Sequence, residues 1–272
     1  MIIELSDFFN NPSLIEIGWL RIQYYAVTWV LSAIFIFQYL KNHRIIGELK
    51  LTNDQVNDIV FLYGLIFGAM LGGRFGYMFF YGMDQLASNP LSLFFIWEGG
   101  MSFHGGVVGV IIASYVFCKI HKLNTFIFLD FISLSAPIGI FFGRLANFLN
   151  SELYGRQTDI LWSVKFLKID NLNRHPSQIY EAIFEGLILF IILNFFLKSL
   201  IRSPGKISCF FLIFYSLFRF IIEFTREPDL HIGLILGILS IGQVISIFTL
   251  SAGFVLYYLL GNNKNEEKIR YR

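Results

Sequence analysis

Apolar runs separated by short polar loops make up most of this chain. Seven of these runs are long enough to cross the hydrocarbon layer of a bilayer, which takes about 20 residues in a helix. We therefore predict an all-α, polytopic integral membrane protein with about seven transmembrane helices. The predicted spans are residues 19–40, 57–81, 101–118, 125–149, 178–197, 207–225 and 232–260.

The segments outside these spans are short. We expect an extracytoplasmic N-terminal arm over residues 1–18, a transmembrane domain over 19–262 and a cytoplasmic tail over 263–272. Within the domain, residues 150–177 form a small extracytoplasmic head, and residues 91–97 are typical of an interfacial or re-entrant piece. The first 18 residues lack a basic start, so we expect no cleavable signal peptide.

The amino-acid composition is that of a membrane protein. Of 272 residues, 56% are hydrophobic, 32 are phenylalanine and only 15% are charged, whereas a soluble domain carries about 25% charged residues. This excludes a water-soluble protein, and we expect no nucleic-acid partner. Cys118 and Cys209 lie in separate apolar segments without redox-like or ligand-like neighbours, so we expect both to be small buried side chains.

Lysine and arginine are distributed unevenly between the two sides of the predicted membrane domain. Twelve of the 21 lie on one side and six on the other, while Arg74, Arg144 and Arg219 lie inside or at the edges of spans. Short cytoplasmic loops are the ones enriched in these residues. We therefore predict that the N-terminus is outside, the C-terminus is cytoplasmic and the head faces outward.

The second span carries glycines at strict four-residue spacing, Gly64, Gly68, Gly72 and Gly76. Positions four apart form one stripe along a helix, and a glycine stripe allows a second helix to approach closely. We predict a packing seam at this stripe, with Arg74 beside it.

The run from Gly143 to Gly155 places an arginine, two amides and a carboxylate at or near membrane depth. Such groups are costly in hydrocarbon and usually face a protein interior or a wet cavity. At helical spacing Arg144, Asn147 and Ser151 share one face. We predict that Arg144 clamps a lipid phosphate, because guanidinium geometry matches phosphate oxygens. The alternative is a structural pair with a carboxylate.

The other polar residues of this run have two interpretations each. Asn147 and Asn150 either face a ligand or satisfy loop backbone. Glu152 either touches a substrate or orients Arg144. Gly155 either sets a turn or lets a substrate approach closely.

One imidazole lies among small residues near the outer end of the third span. His104 is surrounded by the glycines of residues 99–109. A lone histidine in an apolar setting is usually a core residue, but these small neighbours leave room for a ligand. Because histidine is the side chain best suited to move a proton near neutral pH, we predict a proton-transfer role.

The sixth span carries a polar stripe composed of Tyr215, Arg219, Glu223 and Arg226. At 100° per residue these four positions lie within about 80° of arc. A stripe of this kind in an apolar span lines something polar. The alternative is that Arg219 and Glu223 form a pair that only joins helices.

The chain offers bases and cations but no credible nucleophile. It has no Gly-x-Ser-x-Gly elbow, no zinc-type His/Cys group, no acidic pair placed for a metal and no phosphate-binding glycine loop. If the protein is an enzyme, the nucleophile arrives with a substrate. The polar residues gather in the outward half of the membrane region, which indicates a site rather than scattered structural hydrogen bonds.

The Gly143–Gly155 run resembles the signature of the prolipoprotein diacylglyceryl transferases of bacterial membranes. The resemblance extends from Tyr24-Tyr25 to residues 226–229, and further segments resemble family motifs, namely residues 71–74, 99–106, 175–178 and 215–229. It implies that the diacylglyceryl group of phosphatidylglycerol moves to the lipobox cysteine thiol of a preprolipoprotein, releasing glycerol phosphate. This would be the first step of lipoprotein maturation, in the bacterial cytoplasmic (inner) membrane. The peptide would supply the missing nucleophile.

The resemblance also implies the site residues. The implied catalytic residues are His104 as base, Arg144, Arg219, Tyr25 and Glu152. Those implied to bind phosphatidylglycerol are Arg144, Asn147, Gly155, Arg219, Glu223 and Tyr215. No cofactor and no metal are required by this scheme. An aromatic-belt position at the outer end of the first span would also explain Tyr25.

Two other functions are compatible with the same polar residues. In a lipid or anion transporter, such as a flippase, the stripe would line a path for an anionic headgroup. Such folds often contain inverted repeats, and this sequence has none that we detect. In a scaffold, the polar residues would only join helices. Single alanine changes would then lower protein level without changing specific activity.

Overall fold

The structure, a computed structural model, describes residues 3–5, 13–17, 20–43, 46, 49–96, 100–197, 199–200, 203–228, 234–235 and 237–262. The described residues divide into two compact units. The first unit contains those up to Phe35 and from Ile132 onward, and the second unit contains Ile36–Phe131.

Helices account for most of the described residues. They are α1 Tyr24–Lys41, α2 Asn53–Phe80, α3 Met83–Ser88, α4 Phe103–His121, α5 Thr125–Leu149, α6 Ser177–Phe196, α7 Lys206–Ile222 and α8 Ile241–Asn262. Short 3₁₀ turns follow α3 at Pro90–Phe94 and α7 at Glu223–Thr225.

Within the described residues, five helices are long and apolar enough to cross a membrane: α2, α5, α6, α7 with its 3₁₀ turn, and α8. Two further apolar stretches, Val27–Lys41 and Gly105–His121, are shorter. The protein is therefore a mainly helical integral membrane protein. Seven crossings stay a prediction, because they depend on the two shorter helices.

Short strands interrupt the helical pattern. They are β1 Ile3–Leu5, β2 Ser13–Ile17, β3 Leu20–Gln23, β4 Val164–Phe166, β5 Asn173–Arg174, β6 Leu234–Ile235 and β7 Leu239–Ser240. In one sheet β4 pairs parallel with β1 and antiparallel with β5. Of two antiparallel pairs, β2 with β3 precedes α1 and β6 with β7 precedes α8.

These hairpins correct two predicted boundaries. The first span begins at Tyr24 rather than at residue 19, and the last begins at Ile241 rather than at residue 232. In both places apolar residues pair as strands, and a short apolar run does not reveal from hydropathy alone which structure it adopts. The fourth span, by contrast, runs from Thr125 to Leu149 as predicted.

The second unit contains the glycine seam between α2 and α4. A Cβ on Gly72 would lie 2.7 Å from Gly105 O, and one on Gly76 would lie 2.6 Å from Gly105 Cα. Gly68 makes an equally close approach to Val110, whereas the atom nearest to Gly64 belongs to Ile59 of the same helix. The predicted close approach is thus confirmed for three of the four glycines, and it fixes the first turn of α4.

The first unit brings α5, α6, α7 and α8 together. Gly186 of α6 lies against the backbone of Phe141 on α5, where a Cβ would be 2.9 Å from Phe141 Cα. Ser216 of α7 shares a 2.6 Å hydrogen bond with Thr249 of α8. The first approach joins α5 to α6 and the second joins α7 to α8, and α7 meets α6 through Arg219 and Glu181.

Candidate active site

Three helices of the first unit bring charged residues into contact. Arg144 on α5 places Nη1 3.2 Å from Glu181 Oε2 and Nη2 3.2 Å from Glu185 Oε2, both on α6. Arg219 on α7 contacts the same two carboxylates, because its Nη1 meets Glu181 Oε1 and lies 3.7 Å from Glu185 Oε1. Two guanidinium groups therefore share one pair of carboxylates.

The position of this pair follows from the α6 sequence. Glu181 and Glu185 are one turn apart and so lie on the same face of the helix. Both are fully buried, at 0% exposure. A charge taken out of water is tolerated only when it is paired, so these carboxylates require cations beside them. Arg144 and Arg219 meet that requirement.

The end of α7 extends the group. Arg219 Nη2 lies 2.6 Å from Glu223 Oε2, one turn further along the chain. Arg226 Nη1 lies 3.8 Å from Glu181 Oε1, and Tyr215 lies one turn before Arg219 on the same face of α7. We call the charged members the arginine–glutamate cluster, which comprises Arg144, Glu181, Glu185, Arg219, Glu223 and Arg226.

The loop that follows α5 lies beside this cluster. Asn147 Nδ2 donates to Glu152 Oε2 at 3.4 Å, and Gln178 Nε2 at the start of α6 donates to Glu152 O at 2.5 Å. The Gly155 N–H donates to His175 O, and Gly155 forms a backbone bridge with Arg226. The loop is thus joined to α6 and to the end of α7.

Gly155 lies at the tightest point of this loop. A Cβ there would be 2.3 Å from His175 O and 2.8 Å from Thr225 O. Both are backbone atoms, which cannot rotate away as a side chain can. Only glycine therefore fits between the two chain segments, a packing reason for the residue that we did not consider at the sequence level.

Arg174 braces the same loop from outside the membrane helices. Its Nη1 donates to Gly155 O at 3.1 Å and also contacts Glu227 Oε2 at 3.1 Å. Its Nη2 lies 2.6 Å from Asp170 Oδ2, and the guanidinium hydrogen-bonded to Asp170 holds the pKa of that carboxyl below its usual range. Burial lowers the pKa of the neighbouring His175 imidazole, which favours its neutral form.

Comparison with known proteins identifies the family of this chain. The sequence profile of the prolipoprotein diacylglyceryl transferases matches residues 12–259. The chain belongs to this family. A phosphatidylglycerol–prolipoprotein diacylglyceryl transferase of Rickettsia bellii is 45% identical over 248 residues, which are 90% of this chain and 94% of the relative. The protein of the same name from Geobacter sulfurreducens is 41% identical over 256 residues, 93% and 96% of the two chains.

Membership of the prolipoprotein diacylglyceryl transferase family makes the chain a membrane-embedded transferase. The structure places four of the predicted site residues in one region of the first unit, namely Arg144, Tyr215, Arg219 and Glu223. Asn147 lies in the last turn of α5, and Glu152 and Gly155 lie on the loop that follows it.

Sequence reasoning on this transferase missed the carboxylates that hold the arginines. We considered Glu152 as the residue that orients Arg144, but the carboxylates found against Arg144 are Glu181 and Glu185. The signal was present, because two glutamates one turn apart in an apolar span demand an explanation. We did not consider Glu181 or Glu185 as partners of the arginines.

Two predicted residues of the transferase have side chains outside the described part of the structure. The backbone of Tyr25 lies in the first turn of α1, and that of His104 lies in the first turn of α4. Ser102 caps α4, its Oγ accepting from the Gly105 N–H at 3.2 Å. The roles of both residues stay predictions.

Proposed function

We propose that this chain transfers the diacylglyceryl group of phosphatidylglycerol to the lipobox cysteine of a preprolipoprotein and releases glycerol phosphate, with Arg144 and Arg219 binding the phosphate. The family supports the reaction, since the relatives are named for these two substrates. The observation that carries the assignment of the site is that two arginines from different helices converge on one buried carboxylate, that of Glu181. Cations arranged in this way also suit the oxygens of a single phosphate.

The reaction forms a carbon–sulfur bond and breaks a carbon–oxygen bond. The cysteine sulfur attacks the glycerol carbon that carries the phosphate oxygen, and the bonding electron pair leaves with that oxygen. The thiol proton passes to a base, for which we propose His104. A free thiol has a pKa of about 8.5, so proton removal or a positive field is needed near neutral pH.

The arginines favour the transition state because the charge on the phosphate grows. A phosphodiester carries one negative charge, and the departing phosphomonoester develops a second. Cations aimed at that phosphate therefore bind the transition state more strongly than the ground state. Removing one such donor typically costs about 3–4 kcal/mol of transition-state stabilisation.

The carboxylates of the cluster hold the arginines in place before substrate arrives. Arg144 already contacts two glutamates and Arg219 contacts three, so the fold rather than the ligand sets the orientation of both guanidinium groups. Site groups fixed in advance need little reorganisation during the reaction. We propose that a phosphate takes over part of these contacts and that Tyr215 and Glu223 support Arg219 while it does so.

We assign supporting roles to the remaining residues. Asn147 at the end of α5 and Gly155 on the following loop shape the wall against which the lipid headgroup lies, and Glu152 holds Asn147. Tyr25 completes the site from α1. We place the enzyme in the bacterial cytoplasmic membrane, with its N-terminus and the 150–177 segment on the outer side, because the short loops of the opposite side carry most of the lysine and arginine.

The test uses purified protein in detergent with phosphatidylglycerol and a lipobox peptide, and it follows both glycerol phosphate release and peptide mass. We expect a diacylglyceryl mass gain that requires the peptide cysteine. Arg144→Ala is expected to abolish it, whereas Lys168→Ala, which removes an exposed cation, is expected to keep it. Normal turnover by Arg144→Ala would contradict the phosphate role. If folded, lipid-bound protein forms neither product, the cluster is a transport or binding site.

A further inference from the structure

Ser240 lies where the β6–β7 hairpin meets α8. The hairpin pairs Ser240 with Leu234 across a turn in which Gly237 has a φ of 71°. Ser240 then caps α8, since its Oγ accepts from the Gln243 N–H at 3.2 Å and its own N–H donates to Gln243 Oε1 at 3.0 Å. This reciprocal arrangement is a capping box, which explains why a serine is found at this position. It does not explain a further contact that the Ser240 hydroxyl makes outside the cap.

That second contact reaches the arginine–glutamate cluster. Ser240 Oγ donates to Glu223 Oε1 at 2.9 Å. An ionised carboxylate only accepts hydrogen bonds, so the hydroxyl hydrogen is directed at Glu223 while an oxygen lone pair serves the helix cap. The other oxygen of Glu223 faces Arg219 Nη2 at 2.6 Å. Ser240 and Arg219 therefore hold Glu223 from opposite sides.

Gly242 contributes independently to the same geometry. A Cβ at this position would lie 2.6 Å from Glu223 Oε1 and 2.7 Å from its Cδ. The first turn of α8 thus passes so close to the carboxylate that only a glycine leaves room for it. Ser240, which caps α8, holds Glu223, and Gly242 in the first turn of α8 makes space for it.

We infer that Ser240 is a positioning residue for the transfer reaction, which fixes Glu223 and through it orients the Arg219 guanidinium toward the phosphate. The inference rests on the proposed role of Arg219. Two residues, Glu223 and Arg219, separate Ser240 from the phosphate, so its effect should appear in kcat more than in the KM for phosphatidylglycerol.

Four variants separate this role from helix capping. Ser240→Ala removes both contacts, and we expect kcat/KM to fall about tenfold, the effect of losing one hydrogen bond to a charged group. Ser240→Thr keeps the hydroxyl and should restore activity. Gln243→Ala weakens the capping box but leaves the Glu223 contact, so it should retain activity. Gly242→Ala should lower kcat, because its added methyl group displaces the Glu223 carboxylate while the Ser240 cap of α8 stays in place.

A double-mutant cycle completes the test. In a Glu223→Ala background, Ser240→Ala should cause little additional loss, because the oxygen that accepts the Ser240 hydrogen bond is already absent. The inference is overturned if activity follows melting temperature across Ser240→Ala and Gln243→Ala, or if Gly242→Ala is fully active. If Glu223→Ala and Arg219→Ala both keep normal turnover, the proposed phosphate site itself is wrong, which is a distinguishable result.

Discussion

At the scale of single residues, Glu185 has two opposing effects on the arginines. Its carboxylate contacts Arg144 and Arg219 and so fixes their orientation. The same negative charge competes with any phosphate for those guanidinium groups. The described members of the cluster are three arginines and three glutamates, which balance in charge. The cluster therefore has no excess positive charge to neutralise an incoming phosphate, which must compete with the glutamates for the arginines.

Glu185→Gln should separate these two effects. We expect a lower KM for phosphatidylglycerol, because a competing anion has been removed, together with a kcat roughly tenfold lower, because Arg144 loses a partner that holds it. Initial rates at varied phosphatidylglycerol concentration measure both parameters. The control is Asp159→Asn, which removes a carboxylate from the exposed part of the 150–177 segment. A raised KM with unchanged kcat would show that Glu185 does not compete with the phosphate.

Gly155 offers a test of packing beside the cluster. Gly155→Ala should lower stability by about 1–3 kcal/mol, because the new methyl group meets two backbone oxygens. The matched control is Gly143→Ala on α5, where a Cβ would have no neighbour within 4 Å. Melting temperature in detergent and transfer rate should both fall for the first variant and hold for the second. Equal behaviour of the two variants would contradict the tight fit at Gly155.

Some of these residues were predictable, and the reason is physical. A charged or amide side chain in an apolar run stands out in the sequence, which is how Arg144, Arg219 and Glu223 were found. Helical spacing then tells which residues share a face of one helix, but not which helices meet. The pairing of Arg144 with Glu181 depends on the contact of α5 with α6, so the sequence alone did not indicate it.

At the scale of elements, helix boundaries that depend on local sequence were predicted accurately, and those that depend on pairing with a distant segment were not. The spans around α5, α6 and α7 were predicted to within about two residues, because Gly, Pro or polar residues flank a continuous apolar run. The starts of α1 and α8 were wrong by several residues, since the pairing partner of a short strand is not visible in its own sequence. The capping box at Ser240 was a readable signal that we missed.

The contact between α2 and α4 makes a prediction at this scale. Gly105→Ala should lower stability by about 1–3 kcal/mol, because the added Cβ would lie 2.5 Å from Gly72 O and 2.8 Å from Gly76 Cα. The adjacent Gly106→Ala is the control, since its Cβ would lie 3.5 Å from Ala69 O, an ordinary contact. Melting temperature in detergent should fall for Gly105→Ala only. We also expect lower activity for that variant, because the seam fixes the turn that carries His104.

At the scale of the whole molecule, the question is which membrane face the site serves. Arg144 lies near the end of α5, Glu181 near the start of α6 and Arg219 near the end of α7. The end of α5 and the start of α6 border residues 150–176, and the end of α7 leads into residues 226–228. The cluster therefore belongs to the side of the membrane on which segment 150–177 lies, and the side of that segment determines from where the peptide approaches.

Single-cysteine labelling decides that side. We expect a membrane-impermeant maleimide to label Asp159→Cys in intact spheroplasts and to label Lys122→Cys only after permeabilisation, because the lysine- and arginine-rich loops should be cytoplasmic. Both positions are exposed, whereas the native Cys118 and Cys209 are 1% and 2% exposed, so background labelling should be low. Equal labelling of both variants in detergent is the control. Labelling of Lys122→Cys alone in intact spheroplasts would place the arginine–glutamate cluster on the cytoplasmic side, and the peptide substrate would then have to reach it before crossing the membrane.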